Sequence, residues 1–142
     1  MVERTPVHLW IVGALATSWN ALGCFDYVMT QTRNEAYLAN FTDPQRVYFE
    51  SFPLWMEAMW ALGVWGGLLG ALLLLMRSRF AVAAFAISLL GLAASTFYQY
   101  VLNTPPADMT GGAMLAMNLA IWAAAIFLLV YSSRMRTAGA LR

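Results

Sequence analysis

The chain is 142 residues long, 61% hydrophobic and 11% charged, with a formal charge of +1. A soluble globular domain is nearer to about 45–50% apolar and about 25% charged, so lipid has to act as part of this chain's solvent. All eight basic side chains are arginines, and they form neither the net positive field nor the basic stripe that nucleic acid requires. Cys24 and His8 are the only residues of their kinds. An intrachain disulfide, a CxxC redox pair and a cysteine-rich zinc site are therefore excluded, as is a bis-histidine haem held by one chain. Cys24 reads as a small buried hydrophobe and His8 as a residue of the membrane boundary.

A bilayer core takes about 20 apolar residues per helix. The first such segment runs from Val7 to about Thr30, and Thr5-Pro6 reads as its start, a capping side chain followed by proline at the first helical position. Ala14-Leu15-Ala16 resembles a signal-peptidase site, but the apolar stretch before it is too short and only Arg4 precedes it. A retained helix is expected.

The connection 31–53 follows. Thr42-Asp43-Pro44 is a helix-start signal, and Val47, Tyr48, Phe49 and Phe52 then give an apolar side beside Gln45, Arg46 and Glu50. This predicts a short amphipathic helix over about 44–51 at the membrane surface, with its aromatics at headgroup depth. A helical turn is also expected around Asn34–Leu38. With Tyr37 and Arg46, these aromatic residues make the loop a candidate lid, partner surface or bilayer-hugging segment.

The second span runs from Leu54 to Met76, the third from Phe80 to about Leu102, and the fourth from Gly111 to Tyr131. The sequence thus predicts an all-α integral membrane four-helix bundle as a single domain. Gly63, Gly66, Gly67 and Gly70 in the second span, Ala84, Ser88, Gly91 and Ser95 in the third, and Gly112, Ala116, Ala120 and Ala124 in the fourth have the small-residue spacing that lets helices approach closely. Such faces serve packing within the bundle or contact with a second subunit.

Arginine placement sets the orientation. Arg4, Arg77, Arg79, Arg134, Arg136 and Arg142 fall on one side, against Arg33 and Arg46 on the other. Both termini are therefore expected in the cytoplasm, with 31–53 and 103–110 outside.

Polar groups within membrane helices are costly and mark candidate sites. Here they are Asn20, Asp26, Glu57, Gln99 and Asn118. At about 1.5 Å rise per residue, all five fall in the outer half of their helices. Tyr27 shares the face of Asn20 and Asp26, and Trp60 follows Glu57 by one turn. If these faces turn inward, they form one outward-open ligand pocket. Structural roles compete with that reading: Asp26 and Glu57 could pair with Arg33 and Arg46, and the asparagines could serve the indoles of Trp19, Trp65 and Trp122.

No nucleophile–base pair, metal-ligand spacing or phosphate-cradling loop occurs, so no enzyme activity, metal or cofactor is expected. The run WNALGCFDYVMTQTRNEAYLANFT, followed by FPLWMEAMWALGVWGGLLGALLLLMRSR, resembles a family of small four-helix membrane proteins of proteobacteria. The likeness spans Leu9 to about Tyr100 and is carried by Trp19-Asn20, Asp26-Tyr27, the stretch from Met29-Thr30 to Tyr37-Leu38, and Trp60 to Gly66. It implies an inner-membrane location and the same topology; some members carry a label of sugar transporter. The expected function is an accessory or ligand-binding membrane subunit with its recognition surface on the outer side. The alternative is a homo-oligomeric transporter of a small polar solute such as a sugar. The expected partners are the lipid bilayer, a second copy or a larger membrane complex, and a small polar ligand.

Overall fold

The computed structural model describes residues 5–142, with only the backbone described at Asp108. Arg4, one of the arginines that set the expected orientation, lies outside the described residues. The described residues are mostly helical and contain no strand: α1 (Val7–Gln31), α2 (Glu35–Leu38), α3 (Asp43–Glu50), α4 (Leu54–Leu75), α5 (Phe80–Phe97) and α6 (Gly112–Thr137). A π-helical turn, Tyr98–Leu102, continues α5. It is closed by Asn103 N–H donating to Tyr98 C=O at 2.8 Å, just before the Thr-Pro-Pro run that cannot extend a helix.

Three helices are long and apolar enough to cross a membrane: α4, α5 with its π turn, and α6. In α1, His8, Thr17, Ser18, Asn20 and Asp26 interrupt the apolar run. The helix starts at Val7 as expected, but Pro6 is its capping residue and not its first helical position, and there is no side-chain cap. At the other end of the chain, α6 runs six residues past the expected Tyr131. Arg134 and Arg136 suit a helix C-terminus, and the end comes where Gly139 takes a left-handed conformation at φ 82°.

The long helices lie in a row, α1 against α4, α4 against α5 and α5 against α6, and the first and last also meet through His8 and Tyr131. Each pair is antiparallel, as the contacts along it show. Gly13 of α1 meets Leu75, Asn20 meets Gly67, Gly23 meets Val64, and Tyr27 meets Trp60. α4 and α5 cross tightly where Gly63 faces Gly91, then Gly66 faces Ser88, and Gly70 lies under the Phe85 ring. A Cβ built on Gly91 would stand 2.6 Å from the Gly63 nitrogen and the Met59 carbonyl oxygen. The small residues of the second and third spans therefore serve packing within the chain, where lipid gives no hydrophobic drive and close backbone approach must hold the helices. In α6 the corresponding Gly112, Ala116 and Ala120 are exposed, and Ala124 is half-buried.

The antiparallel row gathers Arg77, Arg79, Arg134, Arg136 and Arg142 at one end. Here the C-terminal residues fold back. Arg142 N–H donates to Arg77 C=O and Arg79 N–H to Arg142 C=O, both at 2.8 Å. The Arg77 guanidinium Nε–H donates to Ala140 C=O at 3.0 Å. Ala140 and Leu141 join Leu9, Ala71, Leu74, Ala81 and Leu128 in the core of this end. His8 Nδ1 and the Tyr131 hydroxyl link α1 to α6 at the same end.

Candidate functional site

The opposite end is closed by the 31–53 connection. Asn34 caps α2, its Oδ1 accepting from Tyr37 N–H at 3.0 Å. α3 begins with a reciprocal capping box between Thr42 and Gln45 and has proline in its first turn. The expected helix is present, one residue earlier than predicted at both ends. Its apolar side faces the bundle: Tyr48, Phe52, Met56 and Tyr98 form a buried cluster, with Phe49, Trp60 and Met109 against it. Val47 is the member of the predicted apolar side that stays exposed.

Edge-to-face rings extend the cluster into a continuous cap, from Phe25 through Tyr37 and Phe41 to Phe49, then through Phe52 to Tyr98 and Trp55. Such pairs contribute about 0.5–1.5 kcal/mol each beyond their buried area. A hydrogen-bond network ties this cap to the end of α5. Tyr48 O–H donates to Asn103 C=O at 2.9 Å, and Asn103 Nδ2 donates to the Tyr98 hydroxyl at 2.9 Å and to Ser51 Oγ at 3.1 Å. Burial, reinforced by neighbouring Tyr98, pushes the Tyr48 phenol up to about 12. Sequence reasoning did not single out Asn103; its place directly before Thr-Pro-Pro, where the chain must turn, was the available signal.

The residues expected to share one pocket fall in three places. Asn20 lies midway along the bundle, its amide donating to Ala16 C=O at 2.8 Å and its oxygen seated against Gly67. Ser88 approaches Gly67 from α5 while donating to Gly63 C=O at 2.6 Å. Asn118, on α6, donates to the Tyr100 hydroxyl at 3.1 Å, near the end of α5. Gln99, half-buried, stands beside Tyr100 in the π turn. The indole of Trp122 donates to Thr96 Oγ1 at 3.1 Å, so a threonine serves it and not an asparagine.

The third place is the capped end of α1 and α4. Asp26 accepts a hydrogen bond from the Tyr37 hydroxyl; it pairs with a loop tyrosine where an arginine was an alternative. Burial raises the Tyr37 phenol, and the Asp26 carboxylate adds to the rise. The rings of Tyr27 and Trp60 meet edge-to-face at 4.9 Å. Beside them is a cavity of about 100 Å³ lined by Thr30, Gln31, Arg33, Leu38, Arg46, Phe49, Glu50 and Glu57.

Of the predicted site residues, Glu57, Arg46 and Phe49 line this cavity, and Asn20, Gln99 and Asn118 do not. Thr30, Gln31, Arg33, Leu38 and Glu50 complete it. Arg33 is held there by the end of α1, where Asn34 N–H donates to Met29 C=O at 3.1 Å and Arg33 takes a left-handed φ of 53°. Glycine is the usual residue at such a position, and arginine costs about 1–2 kcal/mol there. Among the described residues, neither Arg33 nor Arg46 has a carboxylate within 4.0 Å. Two arginines and two glutamates thus line one small cavity, with Arg33 and Glu50 exposed to solvent at the same time. Among the described residues, no three of His, Cys, Asp and Glu come together as a metal site. No family model, curated protein or solved structure matches the chain.

Proposed function

We propose that this chain is a multi-pass protein of a bacterial inner membrane, with both termini cytoplasmic, that binds a small polar ligand at its outer face as a binding or accessory subunit. The observation that carries the reading is the charged cavity under the aromatic cap. Its four charges come from three places in the chain (Arg33 after α1, Arg46 and Glu50 on α3, Glu57 on α4), so the folded loop is needed to assemble it.

α1 is read as a fourth span because it lies alongside α4 from Leu75 to Trp60. It also presents Val7, Ile11, Leu15, Leu22 and Phe25 as one exposed apolar stripe. A helix aligned with a spanning neighbour and apolar on its free face belongs in the same lipid layer. The arginine-rich end is read as cytoplasmic by the positive-inside rule. Labelling of Arg46→Cys and Arg136→Cys, each in a Cys24→Ala background, tests the orientation. Only the first is expected to react with an impermeant thiol reagent on intact spheroplasts, and the reverse pattern refutes the topology.

The binding reading is tested by native mass spectrometry of the full chain released from membranes. A small molecule or partner is expected on the wild type and reduced on Arg46→Ala and Glu57→Gln. A bare chain in all three cases refutes it. A homo-oligomeric transporter of a small solute such as a sugar is the second reading. It is favoured by the exposed small-residue face of α6 and by Asn20 midway across the bundle. It requires Asp26→Asn or Glu57→Gln to change uptake by reconstituted vesicles.

A further inference from the structure

The charge pattern of the outer cavity narrows its ligand, and this step rests on the reading of that cavity as a binding site. Arg33 and Arg46 offer planar forks suited to a carboxylate or phosphate. Glu50 and Glu57 line the same space and can accept from an ammonium. An anion alone would meet the two carboxylates, and a cation alone would meet the two guanidinium groups. A neutral sugar would leave four charges facing it unused.

Arg46 and Glu50 are four residues apart on α3, a spacing at which opposite charges pair along a helix. They form no ion pair within 4.0 Å, and both line the cavity. Thr30 and Gln31 add neutral hydrogen-bonding groups, while Leu38 and Phe49 supply an apolar wall. At about 100 Å³ the space is well below the roughly 300–1,000 Å³ of a drug-sized pocket, so the recognised group is small.

We propose that this cavity binds a small zwitterion, a primary ammonium joined by a short linker to a carboxylate or phosphate. The anionic end lies at Arg33 and Arg46 and the ammonium at Glu50 and Glu57. Two sources carry this chemistry: the headgroup of a phosphatidylethanolamine, reached from the outer leaflet, and a free solute such as an amino acid.

The test uses the full chain in detergent micelles, titrated separately with phosphatidylethanolamine, phosphatidylglycerol, O-phosphoethanolamine and glycine, and read by native mass spectrometry and tryptophan fluorescence. Binding of at least one of the ammonium compounds is expected, about tenfold or more tighter than phosphatidylglycerol. Arg46→Ala should weaken it by about tenfold, the scale of losing one charge-assisted contact. Glu57→Gln should remove the preference over phosphatidylglycerol. Preference for the lipid over O-phosphoethanolamine and glycine assigns the headgroup; the opposite assigns a free solute. Equal or tighter binding of phosphatidylglycerol, or a preference unchanged in Glu57→Gln, overturns the zwitterion. If none of the four binds while Arg46→Ala still strips another molecule from the membrane-released chain, the zwitterion is overturned and the site stands. If Arg46→Ala changes nothing in either experiment, both readings fall. Helical circular dichroism and thermal unfolding of each variant separate loss of fold from loss of binding, and the milder Arg46→Lys should retain partial affinity in a folded chain.

Discussion

Gly91 and Gly63 face one another across the α4–α5 crossing, yet adding a methyl group to each should have opposite results. On Gly91 the new carbon would stand 2.6 Å from two backbone atoms, the Gly63 nitrogen and the Met59 carbonyl oxygen. Backbone cannot rotate aside. Ordinary contact begins at 3.4 Å, so the helices have to part by about 0.8 Å, loosening the neighbouring contacts of Gly66 with Ser88 and Gly70 with Phe85. Overpacking of this kind costs about 1–3 kcal/mol, against about 1 kcal/mol of helix propensity returned by alanine. Gly91→Ala should therefore destabilise by up to about 2 kcal/mol net. On Gly63 the nearest atom to the new carbon is the Leu92 nitrogen at 3.6 Å. Gly63→Ala should be neutral or slightly stabilising. Reversible unfolding in mixed micelles with increasing SDS, followed by circular dichroism, gives both values. Equal effects from the two substitutions, or an unperturbed Gly91→Ala, would refute the crossing geometry.

The other predictions concern the middle and the two ends of the bundle. Gly67→Ala pushes a methyl into the Asn20 amide and should cost about 1–2 kcal/mol. Asn20→Ala should relieve much of that in the double variant, and strict additivity would separate the two residues. The Tyr48 phenol is raised from 10.0 to about 12 in the folded chain and donates its proton to Asn103 C=O. Its contribution is therefore whole below pH 10 and lost as pH rises through 12. Tyrosinate absorbance should show late-titrating groups, and Tyr48→Phe should remove one of them while that of Tyr37 remains. Leu141, buried among Leu9 and Leu74 at the arginine-rich end, should lose about 2 kcal/mol on replacement by alanine. Faster hydrogen exchange at Arg79, whose N–H is held by Arg142 C=O, would accompany it.

Much of this architecture was legible in residue order. The apolar runs that become α4, α5 and α6, the start at Pro53, the Thr42 capping box and the turn at Asn34 all follow from local chemistry: hydropathy, proline geometry and side chains that compete for the first backbone N–H groups of a helix. The gathering of most arginines at one end needs only that consecutive long helices alternate in direction. What stayed hidden depended on rotation and lateral order. Residue count put Asn20 and Asn118 both in the outer half of their helices, which suggested one pocket; in the fold Asn20 lies level with Gly67 and Ser88, midway along the bundle, while Asn118 reaches Tyr100 near the end of α5. The same glycine spacing that could serve a second subunit is used inside the chain at Gly63 and left exposed at Gly112. The charged cavity also belongs to tertiary structure. Arg33, Arg46, Glu50 and Glu57 are spread along the 31–53 connection and the start of α4. They converge only because Tyr48, Phe49 and Phe52 bury their rings on the end of the bundle and fold the loop over it.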